Sequence, residues 1–192
     1  MNPIIEALRE FGEISTEIAQ EMERMTQVVQ KKKGSFILKA GQQKCPIFVM
    51  EKGAVRISVK NKEKLNVVWF GFEKDVILST RPFFRSLPAV EYIEFLEDST
   101  VYFIPQDDFY TLYDCFPEMN KLMRNFIEEV TLLVEERANY LHALDATERY
   151  KYLLETFPDL TQRVSLSDIA SFLGINLSTL SRIRASILTN VK

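Results

Sequence analysis

The stretch Ser167-Asp-Ile-Ala-Ser-Phe-Leu-Gly-Ile-Asn-Leu-Ser-Thr-Leu-Ser-Arg-Ile-Arg184 decides how the chain is read. Ser167 suits the N-cap of a first helix, and Asp168 suits its electropositive first turn. Ile169 and Leu173 face inward, and Ala170 is small where two helices cross closely. Gly174 follows four residues later, where a tight turn needs a residue free to adopt positive φ. Ile175 plugs the turn. Asn176 or Ser178 then caps a second helix, and its Leu180, Ile183 and Ile187 pack back on the first. This is the pattern of a helix-turn-helix. Its second helix would present Asn176, Leu177, Ser178, Thr179, Ser181, Arg182, Arg184 and Ala185 to the major groove of double-stranded DNA. Arg182 has the fork for a bidentate contact to guanine, worth roughly 1–3 kcal/mol of discrimination. Arg163, Ser165 and Ser167 stand where phosphates would be held.

Working outward, the charge distribution agrees with that reading. The 192 residues carry a formal charge of −3. From Thr161 onward Arg163, Arg182, Arg184 and Lys192 face only Asp168, which is +3 and leaves −6 for the rest. So few cations per subunit call for a dimer on paired half-sites of a palindrome.

Upstream, the apolar pattern has a helical period that returns after Pro117. Met119, Met123, Phe126, Val130, Leu133, Arg137, Tyr140 and Leu144 follow in steps of four and three, the a/d seam of a coiled coil. These eight residues are the expected dimer interface. Leu122, Ile127 and Val134 widen the stripe, so one side can pack on the body while the other meets a partner. Asp145-Ala-Thr-Glu148 opens a further capped helix, and Phe157-Pro-Asp159 ends it.

Between Gly34 and Pro105 the pattern is that of short strands: Phe36–Leu38, Ile47–Met50, Val55–Val59, Leu65–Phe70, Tyr92–Phe95 and Val101–Ile104. Lys39-Ala-Gly41, Glu51-Lys-Gly53, Asn61-Lys-Glu-Lys64 and Glu97-Asp-Ser99 separate them, with Gly53 at a hairpin position. Ser79-Thr-Arg-Pro-Phe-Phe-Arg-Ser-Leu-Pro88 interrupts them as a short helical insertion. Residues 4–30 show helical spacing, with Ile4, Leu8, Phe11, Ile14, Ile18 and Met22 or Met25 inward. Gly12 would close a first helix, and Ser15 or Thr16 would cap a second. The expected fold class is α+β. A sensor unit over residues 1–116 holds an N-terminal β-roll flanked by helices, a dimerisation helix spans 117–144, and a helix-turn-helix unit covers 145–192.

Catalysis and metal chemistry have little to work with. Cys45, Cys115 and the single histidine, His142, cannot assemble a zinc or iron–sulfur set, and no P-loop or G-x-G-x-x-G occurs. Glu128, Glu129, Glu135 and Glu136 fit a solvated helix face. No stretch is long and apolar enough to span a bilayer, and Glu6, Glu10 and Glu13 do not suit a signal peptide. A non-enzymatic cytoplasmic protein without a metal or membrane partner is expected.

Four landmarks in this order resemble the Crp/Fnr superfamily of bacterial transcription regulators. They are Gly34-x-x-x-Leu38-x-x-Gly41, Phe48-x-x-x-Lys52-Gly53-x-x-Arg56, Ile93-Glu-Phe-Leu-Glu-Asp98, and Ile169-Ala-x-x-Leu-Gly-Ile-x-x-x-Thr-Leu-Ser-Arg-Ile-Arg184. Leu180-Ser-Arg-Ile-Arg184 looks like members from the Bacteroidetes. The resemblance implies a double-stranded β-helix of the cyclic-nucleotide-binding type, a homodimer, and RNA polymerase as a further partner. Members that bind cyclic AMP carry a Gly-Glu pair for the ribose and an Arg-Ser or Arg-Thr pair for the cyclic phosphate. Aligned without gaps, those pairs fall on Leu78-Ser79 and Ala89-Val90. The phosphate arginine, ordinarily the strongest contact there, is replaced, and Arg81 and Arg85 are the nearby substitutes. The resemblance therefore implies a DNA-binding regulator whose sensor answers to an unidentified small effector, or to none, rather than to cyclic AMP in the usual way. The alternative is a cyclic-nucleotide module that signals through protein contacts.

Overall fold

A computed structural model describes residues 2–158 and 160–189. Asp159 of the expected Phe157-Pro-Asp159 stop, and Lys192 of the basic terminal count, lie outside the described residues.

The chain begins with two helices, α1 (Pro3–Leu8) and α2 (Thr16–Met25), separated by a 3₁₀ turn at Arg9–Phe11. Asn2 caps α1, and the Ser15 hydroxyl caps α2 by accepting from Ile18 N at 3.2 Å. Helical spacing extends to residue 30, but the helix stops at Met25 and Gln27–Lys31 form strand β1. Thr26 is extended, and its two β-branched neighbours, Val28 and Val29, favour the strand.

Six further strands follow: β2 (Phe36–Leu38), β3 (Ile47–Lys52), β4 (Val55–Asn61), β5 (Lys64–Gly71), β6 (Glu91–Phe95) and β7 (Ser99–Ile104). They form two antiparallel sheets in the orders β1-β7-β3 and β2-β6-β4-β5. The insertion is helix α3 (Thr80–Arg85). Glu51-Lys-Gly53 does not close a hairpin, because β3 pairs with β7 while β4 pairs with β5 and β6. The glycine carries the chain from one sheet to the other at φ 127°, and a Cβ there would lie 2.0 Å from the Ser99 hydroxyl.

The sheets enclose Leu38, Phe48, Met50, Ile93, Phe95 and Val101. The outer face of the β1-β7-β3 sheet is covered by helices. Ile47, Val49 and Ile104 meet α1, α2, helix α4 (Gln106–Cys115) and the start of helix α5 (Glu118–Ala143). Strand β3 is therefore buried on both faces, which explains its unbroken Ile-Phe-Val-Met run. Helix α4 had no expectation in the sequence: Asp107, Asp108 and Asp114 dilute its apolar face of Phe109 and Leu112.

Helix α5 has 26 residues and is about 39 Å long. Helix α6 (Ala146–Thr156) starts at a capping box in which Asp145 and Glu148 satisfy each other's backbone donors. Short helix α7 (Leu160–Arg163), α8 (Leu166–Phe172) and α9 (Leu177–Thr189) complete the fold. The terminal helices lie on the outer face of the β2-β6-β4-β5 sheet. Here Val67 and Phe70 join Leu153, Leu160, Ile169, Phe172 and Leu180 in a third apolar cluster. Val67 and Phe70 are three apart yet share this face. The pairing of β4 with β5 skips Val68, and such a bulge rotates the strand by one residue.

Candidate nucleic-acid interface

Helix α8 starts two residues earlier than the sequence suggests. Ser165, not Ser167, is its N-cap: the Ser165 hydroxyl accepts from Asp168 N at 3.1 Å and donates to the Asp168 carboxylate at 2.7 Å. Leu166 is partly buried against the terminal cluster, which draws the helix start back to it. Ile169, Ala170 and Leu173 are buried. The turn closes through Gly174 N on Ser171 O at 3.0 Å and Ile175 N on Ala170 O at 3.0 Å, with Gly174 at φ 69°. The Asn176 carbonyl accepts from Thr179 N and Leu180 N, so Asn176 rather than Ser178 stands at the start of α9.

Leu180 and Ile183 anchor α9, while Asn176, Leu177, Ser178, Ser181 and Arg182 are exposed and Thr179 and Arg184 are half-buried. Arg182 folds back along its own helix, with Nε 3.4 Å from the Ser178 carbonyl and Nη2 3.5 Å from the Thr179 hydroxyl. These are weak contacts, and an incoming base edge displaces them at little cost. The exposed face is small and polar with one guanidinium able to reach outward.

The residues expected on phosphates separate. Ser167 is exposed. Ser165 is occupied as a cap. Arg163 turns inward: its Nη1 and Nη2 each lie 2.8 Å from the Glu73 carboxylate, and it also donates to Glu97. A guanidinium held between two carboxylates has no fork left for a phosphate. Asp168 is likewise drawn to the body, 2.5 Å from Arg56 Nη1, and Arg56 also holds Glu94 at 2.8 Å. The Ser171 hydroxyl accepts from Val67 N at 2.9 Å. None of these cross-domain partners was legible beforehand, since each pairs residues far apart in sequence.

The expected dimer seam is mostly used within the chain. Met119, Met123 and Phe126 are buried in its own core, as is Leu122. Val130 packs at the edge of that core. Arg137 sits 3.8 Å above the Phe172 ring and donates to the Phe172 carbonyl, and the Tyr140 hydroxyl donates to the Arg149 carbonyl, so both are engaged by the terminal unit. Leu133 stands beside Arg137 and Tyr140 but is 40% exposed, and Leu144 is half-buried. Also uncovered is the parallel stripe one residue further on: Ile127, Thr131, Val134, Ala138 and Leu141. One residue is a rotation of about 100° round the helix. Ile127, Val134 and Leu141, spaced by seven, are 38%, 60% and 38% exposed.

The cassette around α3 shows why the family's phosphate pair has no counterpart. Ala89 is buried in the roll, with its N–H on Gln42 O and its carbonyl accepting from Gly41 N. Ser79 is buried, and its hydroxyl donates to Glu91; the other Glu91 oxygen accepts from Val90 N at 3.0 Å. The Glu91 carboxylate thus bridges Ser79 and Val90, one residue from each of the two expected pairs. Glu91 carried no expectation, because its role appears only once β6 is brought beside Ser79. Arg81 and Arg85 flank a groove of about 450 Å³ between α3 and α5, and Arg81 Nε donates to the Pro88 carbonyl. Leu78 packs toward the helical cluster instead. Cys45 is buried beside Ser79, and burial pushes its thiol up to about 12, so it is unreactive.

Among the described residues no group of three or more His, Cys, Asp or Glu could hold a metal ion, and no helix is long and apolar enough to cross a membrane.

Residues 28–114 match the family model described as cyclic nucleotide-binding domain. Several solved structures share the fold of nearly the whole chain. FixK2 from Bradyrhizobium japonicum is 20% identical, with a TM-score of 0.71 over 86% of this chain and 85% of that one. A CooA mutant from Carboxydothermus hydrogenoformans is 16% identical, with a TM-score of 0.70 over 96% and 84%. A transcriptional regulator of the CRP/FNR family from Thermus thermophilus is 14% identical, with a TM-score of 0.69 over 85% and 87%. At these identities the likeness is one of fold: a cyclic-nucleotide-binding type β-roll, a long helix and a terminal helix-turn-helix. Nothing in it supports the Bacteroidetes style of the terminal segment. The search of curated proteins returned no match.

Proposed function

We propose that the protein is a DNA-binding transcription regulator of the Crp/Fnr type that reads a palindromic site as a homodimer. The observation that carries this reading is the exposed polar face of α9. It stands on a scaffold anchored by the buried Ile169, Leu173, Leu180 and Ile183, with Arg182 the one exposed guanidinium among its described residues. Two copies paired along the stripe Ile127–Val134–Leu141 would present two such faces, which half-sites require to stand about one helical turn of DNA apart. Small Ser and Thr side chains allow close approach, and Arg182 reads guanine. RNA polymerase is the downstream partner in this reading.

The sensor unit does not take cyclic AMP in the usual way. Glu91 bridges Ser79 and Val90, and a cyclic phosphate beside it would meet a like charge. The same observation counts against the alternative of a cyclic-nucleotide module acting through protein contacts. The test is selection of bound sequences from random DNA by the full chain, with and without cyclic AMP and cyclic GMP. Enrichment of a palindrome, unchanged by either nucleotide, is the expected result. No enrichment, together with a salt slope near zero on genomic fragments, rejects the regulator.

A further inference from the structure

Where the terminal unit meets the sensor sheet, packing leaves a cavity of about 120 Å³ walled by Trp69, Tyr140, Tyr152, Phe157 and Phe172, with Arg137 at its side. An apolar cavity of roughly 150 Å³ holds benzene, so this one takes a single six-membered ring and excludes a nucleotide. Tyr152 and Phe157 stand 48% and 40% exposed at its mouth, which opens it to solvent.

Arg137 gives the cavity its charge preference. It is half-buried, and desolvation lowers its pKa. Among the described residues it forms no ion pair, and of its five donors one has a partner, the Phe172 carbonyl. Every other interdomain arginine differs: Arg56 and Arg163 each hold two carboxylates. Glu136 lines the same cavity but is exposed and does not pair with Arg137. The Nε of Arg149, whose backbone carbonyl receives the Tyr140 hydroxyl, is buried without a hydrogen-bond partner. The site combines five aromatic faces with uncompensated positive charge.

We propose that this joint is a binding site for a small aromatic carboxylate, with the ring against Trp69, Tyr152 and Phe157 and the carboxylate on Arg137. Such a ligand touches the sensor sheet through Trp69, the long helix through Arg137 and Tyr140, and the helix-turn-helix through Phe172. It therefore fixes the pose of the terminal unit. This regulatory consequence rests on the regulator reading; the binding itself does not.

Trp69 is the only tryptophan, so its fluorescence reports occupancy directly, without DNA. Benzoate is the probe, with benzyl alcohol as its neutral counterpart and acetate as the anion without a ring. Benzoate should give a saturable change in Trp69 emission, and benzyl alcohol should bind roughly tenfold more weakly, the worth of one charge-assisted hydrogen bond. Acetate should give none. Arg137→Gln should bring benzoate to the affinity of benzyl alcohol. Because Arg137 also holds the Phe172 carbonyl, Thr156→Phe provides a second variant: Thr156 lines the cavity, and a ring there should abolish both responses while Arg137 stays in place. No saturable response to benzoate, equal binding of benzyl alcohol, or an unchanged Arg137→Gln each overturns the proposal. So does a ligand-free emission shift that tracks self-association and blocks benzoate, which would assign the cavity to a second copy of the chain. A benzoate response in a protein that selects no DNA leaves the site standing and removes only the regulator reading.

Discussion

Arg56 and Asp168 are 112 positions apart in sequence, and their charged atoms are 2.5 Å apart. The arginine leaves strand β4 on the outer face of its sheet and is shared between Glu94 of the same sheet and Asp168 of α8. All three side chains are at least three-quarters or so covered by their neighbours, at 26%, 18% and 14% exposure. The first helix of the helix-turn-helix is thus docked by its own electropositive end, through an acid that also helps cap it. Arg56→Gln leaves two carboxylates facing each other and should destabilise the joint by about 1–3 kcal/mol. Asp168→Asn keeps the Glu94 pair and should cost about 1 kcal/mol or less. Urea unfolding followed by Trp69 emission measures both. Full additivity in the double variant would show that the two residues do not act as a pair.

Arg163 and Glu73 make a second clasp with a pH signature. Burial works against the Glu73 charge, but hydrogen bonds from Arg163 and from Gly53 N outweigh it and hold the carboxyl below its ordinary range. In the unfolded chain the group protonates near about pH 4.3. The clasp is therefore fully stabilising above that value and is lost as pH falls through the lower folded value. Protection factors for amide exchange in α6 to α9 should fall on acidification through that window, and Glu73→Gln should show the lowered protection already at neutral pH. Arg163→Ala should lower thermal stability while leaving the salt slope of DNA binding unchanged. A slope smaller by about one would mean that Arg163 leaves Glu73 to hold a phosphate.

The long helix separates two registers of self-association. The stripe of Ile127, Val134 and Leu141 lies uncovered, whereas the side bearing Met123, Phe126, Arg137 and Tyr140 is occupied within the chain. Val134→Glu should leave the single chain folded, because the residue is 60% exposed, and should weaken the dimer by at least about a hundredfold, since an unpaired charge buried at the seam costs roughly 3 kcal/mol. Leu132→Glu, exposed but well round the helix from the stripe, should not change it. Sedimentation equilibrium distinguishes the two; a dimer indifferent to Val134→Glu places the contact elsewhere.

What the sequence showed and what it hid follow one physical division. Period and local punctuation are local, so the strands, the insertion at α3, the capping box at Asp145 and the turn at Gly174 could all be read from neighbours. Pairing across the fold is not. On α5 periodicity shows that an apolar face exists, and only the packed chain shows that its own core takes Met119, Met123 and Phe126 of that face. Arg163 had the type and position of a phosphate contact, and Glu73, 90 residues away, claims it. Glu91 could not be singled out, since a carboxylate in a strand means nothing until Ser79 and Val90 are set against it.

Arg182 is expected to carry base readout. Its present contacts at 3.4 and 3.5 Å are with its own helix, so nothing in the fold depends on it. Arg182→Ala should keep the melting temperature within a degree or so, as surface changes within about 0.5 kcal/mol do. In selection from random DNA it should relax preference at one base pair per half-site, by roughly 1–3 kcal/mol. An unchanged selected sequence would move the reading role to another residue of α9.

Glu91 makes the last prediction, because it separates a vacant nucleotide site from a filled one. If the roll lacked only its phosphate arginine, cyclic AMP would bind weakly and restoring a cation would recover it; the aligned position, Ala89, is buried, so the cation is placed on its exposed neighbour Val90. With Glu91 seated on the Ser79 hydroxyl and Val90 N, a phosphate must first displace a carboxylate and then sit beside it. Calorimetry should therefore detect no cyclic AMP binding to the natural chain, nor to Val90→Arg alone, where the new guanidinium pairs with Glu91. The double variant Val90→Arg with Glu91→Ala frees both donors and supplies the charge, and it alone should gain measurable affinity. Equal binding by Val90→Arg with Glu91 intact would show that the carboxylate is no barrier and that only the cation was missing; no binding by the double variant would place the block in the packed interior of Phe48, Ile93 and Phe95.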